Sequence, residues 1–127
     1  MIILGHSYIK SKPFYLIKNT KDIEKTPSNS TVVFSFTKQN LELCEFCKKN
    51  SVNFAVIVDE VRDILFASAL EASYIICGKE LALKAQKLAD EYMFDAKILL
   101  FANEESFLEW GADLGIDGII FENGIKG

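Results

Sequence analysis

Most signatures that would name a chemistry are missing from these 127 residues. There is no G-x-G-x-x-G run and no Walker A loop; Gly78-Lys79 is followed by Glu80 and lacks the upstream loop. Without such glycines, backbone N–H groups cannot approach a pyrophosphate, which excludes the common dinucleotide and P-loop readings. There is no G-x-S-x-G elbow, and the one histidine, His6, sits in the N-terminal run with no nucleophile beside it. A hydrolase triad therefore lacks its base. The longest apolar runs, such as Ile98 to Ala102, fall far short of the ~20 residues a membrane span needs. No basic leader with an apolar segment opens the chain, so a cytoplasmic, membrane-free protein is expected. Three cysteines, an odd number without an export signal, predict reduced thiols instead of a disulfide framework.

Positive charge is also in deficit. A formal net charge of −4 argues against a nucleic-acid partner, because that binding rests on clustered Lys and Arg neutralising phosphates. The deficit is uneven: residues 1 to 30 carry five Lys against Asp22 and Glu24, a sum of +3. Residues 31 to 127 carry nine basic and sixteen acidic groups, a sum of −7. A basic N-terminal arm that lies on its own acidic body, or docks another chain, is expected from that asymmetry.

What is present is ordinary globular material: half the residues are hydrophobic, a quarter are charged, and ten are Phe. That length suits a single domain over residues 1–127, with 1–30 as an N-terminal arm and first strand. From Phe54 to Phe121 one unit recurs: a short apolar run, a polar turn, then an amphipathic helix. With VVFSF before it, strand starts fall at Val32, Ala55, Tyr74, Ile98 and Gly118, in steps of 23, 19, 24 and 20 residues. A strand plus crossover helix needs about that length. Upstream, Pro13 suits the start of an edge strand over Phe14 to Lys18; whether residues 1–9 add another is open. Thr20, Thr37, Asp59, Gly78 and Asn103 stand where helices should be capped, Asn50 suits a left-handed helix end, and Gly115 stops the last helix.

Continuous apolar runs, as opposed to alternating ones, require burial on both faces of the sheet. The expected fold is α/β: a three-layer α/β/α sandwich, flavodoxin-like or Rossmann-like, on a mostly parallel sheet of five or six strands. The alternative is half of a (β/α)8 barrel, whose βα units the closing LGIDGIIF resembles. A half-barrel would carry helices on one side and need a dimer partner for its inner face. A receiver domain is excluded, since Ile17-Lys18-Asn19 and Phe101-Ala102-Asn103 stand where an acidic pair and a Lys belong.

Helix faces supply the one anomaly. Leu81, Ala85, Leu88, Ala89 and Tyr92 form a single stripe on the helix after Gly78, and Phe107, Trp110, Gly111 and Leu114 form another near the C-terminus. On the helix after Asp59, Val61, Ile64, Leu65 and Ala69 make the expected inner face. Phe66 and Leu70 then fall beside Arg62 on the solvent side, where burying both would contribute roughly 3–5 kcal/mol. Phe66, Leu70 and Arg62 are therefore the candidate interaction surface, covered by the N-terminal arm or a second subunit.

Ligands of parallel sheets bind beyond the carboxyl ends of the strands. There Asp59, Glu80, Glu104 and Glu122 are candidate ligand or Mg²⁺ groups and Lys79 a candidate anion partner; helix capping is the competing explanation for the carboxylates. Cys44 and Cys47 form a C-x-x-C two turns inside a helix, where packing is the simpler account than zinc or redox chemistry. No catalytic residue and no cofactor is predicted. Two functions remain: a non-catalytic protein-interaction or regulatory module working as a homodimer or with a protein partner, or a small-ligand or metal-binding enzyme or sensor at the acidic rim.

Overall fold

The computed structural model describes residues 1 to 127. The apolar runs become strands β1 (Ile2–Leu4), β2 (Phe14–Leu16), β3 (Val32–Ser35), β4 (Phe54–Ile57), β5 (Tyr74–Cys77), β6 (Lys97–Ala102), β7 (Gly118–Phe121) and β8 (Ile125–Lys126). Between them lie α1 (Thr20–Ile23), α2 (Leu41–Lys49), α3 (Val61–Ala69), α4 (Lys79–Glu91) and α5 (Ser106–Asp113). The strands form one sheet in the order β1-β7-β6-β5-β4-β3-β2-β8, and every pairing is parallel. Eight strands stand where five or six were expected, because both chain ends join the sheet. β1 pairs with β7 through Ile3 and Ile119, and β8 pairs with β2 through Phe14 and Ile125. The N-terminal segment is thus part of the sheet and not a separate arm.

The α/β fold takes its half-barrel form. From β2 to β7 each strand lies beside its predecessor, so successive right-handed crossovers all step the same way and put their helices on one face. A flat sandwich needs a reversal of strand order to place helices on both faces, and this chain has none. The other face curls onto itself, where Phe14, Val33, Ala55, Ile76, Leu99 and Ile120, one from each of six strands, form a separate buried cluster. Rings from β2 and β5 meet across it, Phe14 and Tyr74 lying 4.9 Å apart. The expectation that a half-barrel must expose its inner face does not hold, since Val33, Ala55, Leu99 and Ile120 are fully buried within one chain.

The register explains how the interior fills. Leu16, Val33, Ala55, Tyr74 and Lys97 are successive partners across five strands. This row begins at exposed Leu16 and ends at exposed Lys97, so it climbs obliquely from one end of the sheet to the other. Residues of equal height therefore come from alternate strands, as in (β/α)8 barrels. Leu4, Phe14, Ala55 and Leu99 make one layer; Val33, Ile76, Ile120 and Ile125 make the next. Leu16, Ile57 and Phe101 stand above them at the carboxyl mouth.

The seam between β1 and β8 is glycine-built. Gly5 has a φ of +82°, and a Cβ there would lie 2.7 Å from Gly124 Cα, so the turn Glu122–Gly124 passes directly over the end of β1. A Cβ on Gly118 would meet Ile2 Cβ and Leu99 Cδ2 at 2.7 Å each. Outside the sheet, α5 packs so closely on β7 that a Cβ on Gly111 would lie 2.7 Å from Ile119 Cδ1. Gln86 is the one buried polar residue: its Oε1 accepts the Asp117 N–H at 2.8 Å, its Nε2 donates to Asp90 at 3.0 Å, and Asp117 in turn accepts the Ile98 N–H.

Helix starts differ from the sequence expectation. Asn19, not Thr20, caps α1 by accepting the Asp22 N–H. Thr37 and Gly78 occupy cap positions without a side-chain bond, while Glu60 and Glu105 stand where Asp59 and Asn103 were expected. After α2 the left-handed residue is Ser51, at φ 56°, and Asn50 stays at φ −102°. Gly115, at φ 69°, ends α5 as expected.

Candidate interaction surface and carboxyl rim

The turns leading from strand to helix are short, which governs what the carboxyl mouth can hold. Gly78 alone joins β5 to α4, Phe36 and Thr37 lead from β3 into a 3₁₀ turn, and Val58 to Glu60 and Asn103 to Glu105 make the others. Enzymes on barrel scaffolds build their sites from these loops; the longest segment leaving a strand's carboxyl end here is Gly5 to Pro13, after β1. Leu16 is 46% and Phe101 38% exposed at the mouth.

The structure disperses the rim candidates. Glu104 and Glu122 line one cleft of about 320 Å³ with His6, Asn103, Glu105 and Asn123; Asp59 and Glu80 lie outside it. His6 Nε2 is 2.8 Å from Glu105 Oε1 while its Nδ1 accepts the Tyr8 N–H, so both ring nitrogens are occupied. Its ring packs edge-on against Tyr8 and Phe121. Glu104 accepts the Ser106 hydroxyl. Lys79 lies over the rings of Phe107 and Trp110, 5.0 and 4.9 Å from their centroids, a cation–π contact that ties α4 to α5. No group of three or more His, Cys, Asp or Glu side chains is placed to share a metal ion. Of the four carboxylates, Glu80 stands in the first turn of α4 and Glu122 in that of the closing 3₁₀ turn, where helix dipoles favour acids, although no side-chain cap bond forms at those starts.

The α3 region gathers its candidates instead. Phe66, Leu70 and Arg62 line a single groove of about 520 Å³ between α2 and α3, with Phe36, Thr37, Lys38, Leu41, Asp63 and Ala69. Leu70 packs against the core at its base, and Phe66 is 54% exposed at its edge. Burial, with Glu60 nearby, raises the Asp63 pKa above the ordinary carboxylate value. The phase of the helix differs from the expectation: Ile64 and Ala67 are its buried positions, whereas Val61 and Leu65 are 39% and 44% exposed. Small Ala67 lets the helix sit close to the sheet, which turns the larger apolar side chains outward. Val61, Leu65 and Ala69 form an i, i+4, i+8 row beside Phe66, and Arg62, drawn to Glu60 at 3.0 Å, is the one charge among them. Phe36 and Leu41 were not singled out in the sequence; the apolar residue directly after the VVFS strand was the available signal.

The N-terminal segment does not cover this face, since β1 is committed to β7 at the other end of the sheet order. The thiols are free and buried. Desolvation pushes Cys44 and Cys77 up to about 12 and Cys47 to about 11, the opposite of an activated or metal-ready thiol. Compared with known proteins, the chain matches no family model and no curated protein sequence.

Proposed function

We propose that the protein is a non-catalytic interaction module that binds a protein partner through the outer face of α3 and the groove beside α2. One observation carries this reading: from Val61 to Ala69 the outward positions of α3 are apolar except for Arg62, and they border a ready-formed groove. A contiguous exposed apolar patch is the usual mark of a docking surface. Short strand-to-helix turns and dispersed carboxylates give the carboxyl mouth no comparable claim. Free thiols in the core fit a cytoplasmic setting, and no helix is long and apolar enough to cross a membrane.

The test is a photo-cross-linking amino acid at position 66, with the same group at exposed Lys87 as control. Covalent protein adducts at 66 and none at 87 are expected; equal labelling would remove the reading. A small-ligand or metal-binding role at the rim is the second reading, favoured by the cleft that brings Glu104 and Glu122 beside His6. It requires thermal stabilisation by Mg²⁺, Mn²⁺ or a small ligand, about 2.7 kcal/mol at 100 times the dissociation constant.

A further inference from the structure

Resting on that interaction reading, we infer that the occupant of the α3 face is a second copy of this chain, packed about a two-fold axis with α3 antiparallel to its counterpart. The pattern of the helix is self-complementary. With the axis between Leu65 and Phe66, each Phe66 falls opposite Leu65 of the partner subunit, and Ala69 of the partner subunit falls opposite Arg62. Rows at i, i+4 and i+8, such as Val61, Leu65 and Ala69, are the ridges that interdigitate in the commonest helix crossing. Small Ala69 leaves the depth that a Phe knob requires.

Charge fixes the direction. Helix side chains lean toward their own N-terminus, so in an antiparallel pair Arg62 leans toward the C-terminal end of the facing helix. There stands Glu71, just past α3, held 3.2 Å from Lys48 and well exposed. The symmetry makes this contact twice, Arg62 to Glu71 of the partner subunit and the reverse. A parallel pair would instead bring the two Arg62 residues together. The flank toward α2 continues the apolar character, with Leu41 exposed at the start of that helix and lining the same groove. Neither terminal strand lies on this face, because β1 pairs with β7 and β8 with β2. One helix and its flank make a small contact against the ~800 Å² per partner of standard interfaces, so the dimer is a weak one, with a dissociation constant between roughly 1 µM and 1 mM.

The experiment is light scattering of the full chain through a dilution series across that range, with circular dichroism to confirm folding. The unaltered chain should pass from dimer to monomer. Phe66→Glu, Arg62→Glu and Glu71→Arg should each weaken association by about tenfold or more, and the double variant Arg62→Glu/Glu71→Arg should recover it by restoring the pair in reversed sense. Should Phe66→Glu misfold, Leu65→Lys reports on the same row. A chain that stays monomeric throughout overturns the inference, and so does a double variant no tighter than the singles. Monomers that still give adducts at position 66 with other proteins would overturn the second-copy assignment alone; the absence of any adduct would sink the interaction reading with it.

Discussion

The inner face of the curled sheet and the outer face of α3 are both apolar, yet they sit in opposite circumstances. Inside, side chains from every second strand share a height and fill the space between them, so Ile120 and Leu99 are lost to solvent without help from another chain. Outside, Val61, Leu65 and Phe66 are no less hydrophobic but stay 39%, 44% and 54% exposed. Hydrophobicity alone therefore does not locate the core of this protein; the turn of the helix about Ile64 and Ala67 does. The same contrast explains why the carboxyl mouth, the habitual site of barrel enzymes, is a weak candidate here. Its apolar floor is an overflow of the inner layers, its strand-to-helix turns are short, and its one cleft lies to the side, under the segment after β1.

Substitutions can break this contrast, and their expected effects are graded. The largest effect is expected at the seam: Gly118→Val adds a branched side chain where even a Cβ would lie 2.7 Å from Ile2 Cβ and Leu99 Cδ2. Overpacking of this kind costs about 3 kcal/mol or more, read as a lower urea midpoint or loss of the folded state. Close behind, Ile120→Ala should cost about 2–5 kcal/mol through cavity formation, while Phe66→Ala on the outer face should change monomer stability by less than about 0.5 kcal/mol. Equal losses at the two positions, measured in dilute solution, would erase the contrast between the faces.

Next comes the polar insert between them. Gln86→Leu removes the acceptor of the Asp117 N–H and should cost about 1–3 kcal/mol, accompanied by faster amide exchange at Asp117. The smallest effect concerns pH. The folded chain holds its three thiol protons more tightly than the ordinary value of 9.0, so unfolding releases protons once the pH rises above about 9. Stability is fully present below that pH and should decline from there toward 11–12, and a Cys77→Ala variant should show a shallower decline. Thiol reagents near neutral pH should react only as fast as the protein opens.

The repeat was legible because each strand is a continuous apolar run and each connection is near the minimum length for a crossover. Starts at Val32, Tyr74 and Gly118 coincide with the structure, and those at Ala55 and Ile98 lie one residue inside β4 and β6. What escaped was anything decided between distant segments. β1 and β8 are three and two residues long, too short to carry a pattern, and they exist only because β7 and β2 offer edges. The uniform direction of strand addition, which turns a sandwich into a half-barrel, is likewise a property of pairings and not of residues.

The candidate surface was partly legible. Phe66, Leu70 and Arg62 do share one groove, although the helix is rotated so that Val61 and Leu65 join the outer face and Leu70 reaches the core. Periodicity failed there because two apolar arcs run along α3, and small Ala67 weighed less in the pattern than the larger residues it displaced. At the rim, spacing along the sequence put acids after several strands, but only their lateral separation shows that Asp59 and Glu80 stand apart from Glu104 and Glu122.

The pairing of β1 with β7 also sets an order of events during synthesis. Ile2 meets Gly118 and Leu4 meets Ile120, so β1 waits through the synthesis of every strand from β2 to β6 before its partner exists. Until then Leu4 has no neighbour on the β7 side and the inner layers cannot close. Contacts this far apart in sequence make for slow folding and prolonged exposure of apolar strands. Closure of the sheet thus depends on the segment that follows Asp117, and a ribosome that pauses before Gly118 would hold out an unpaired β6 edge.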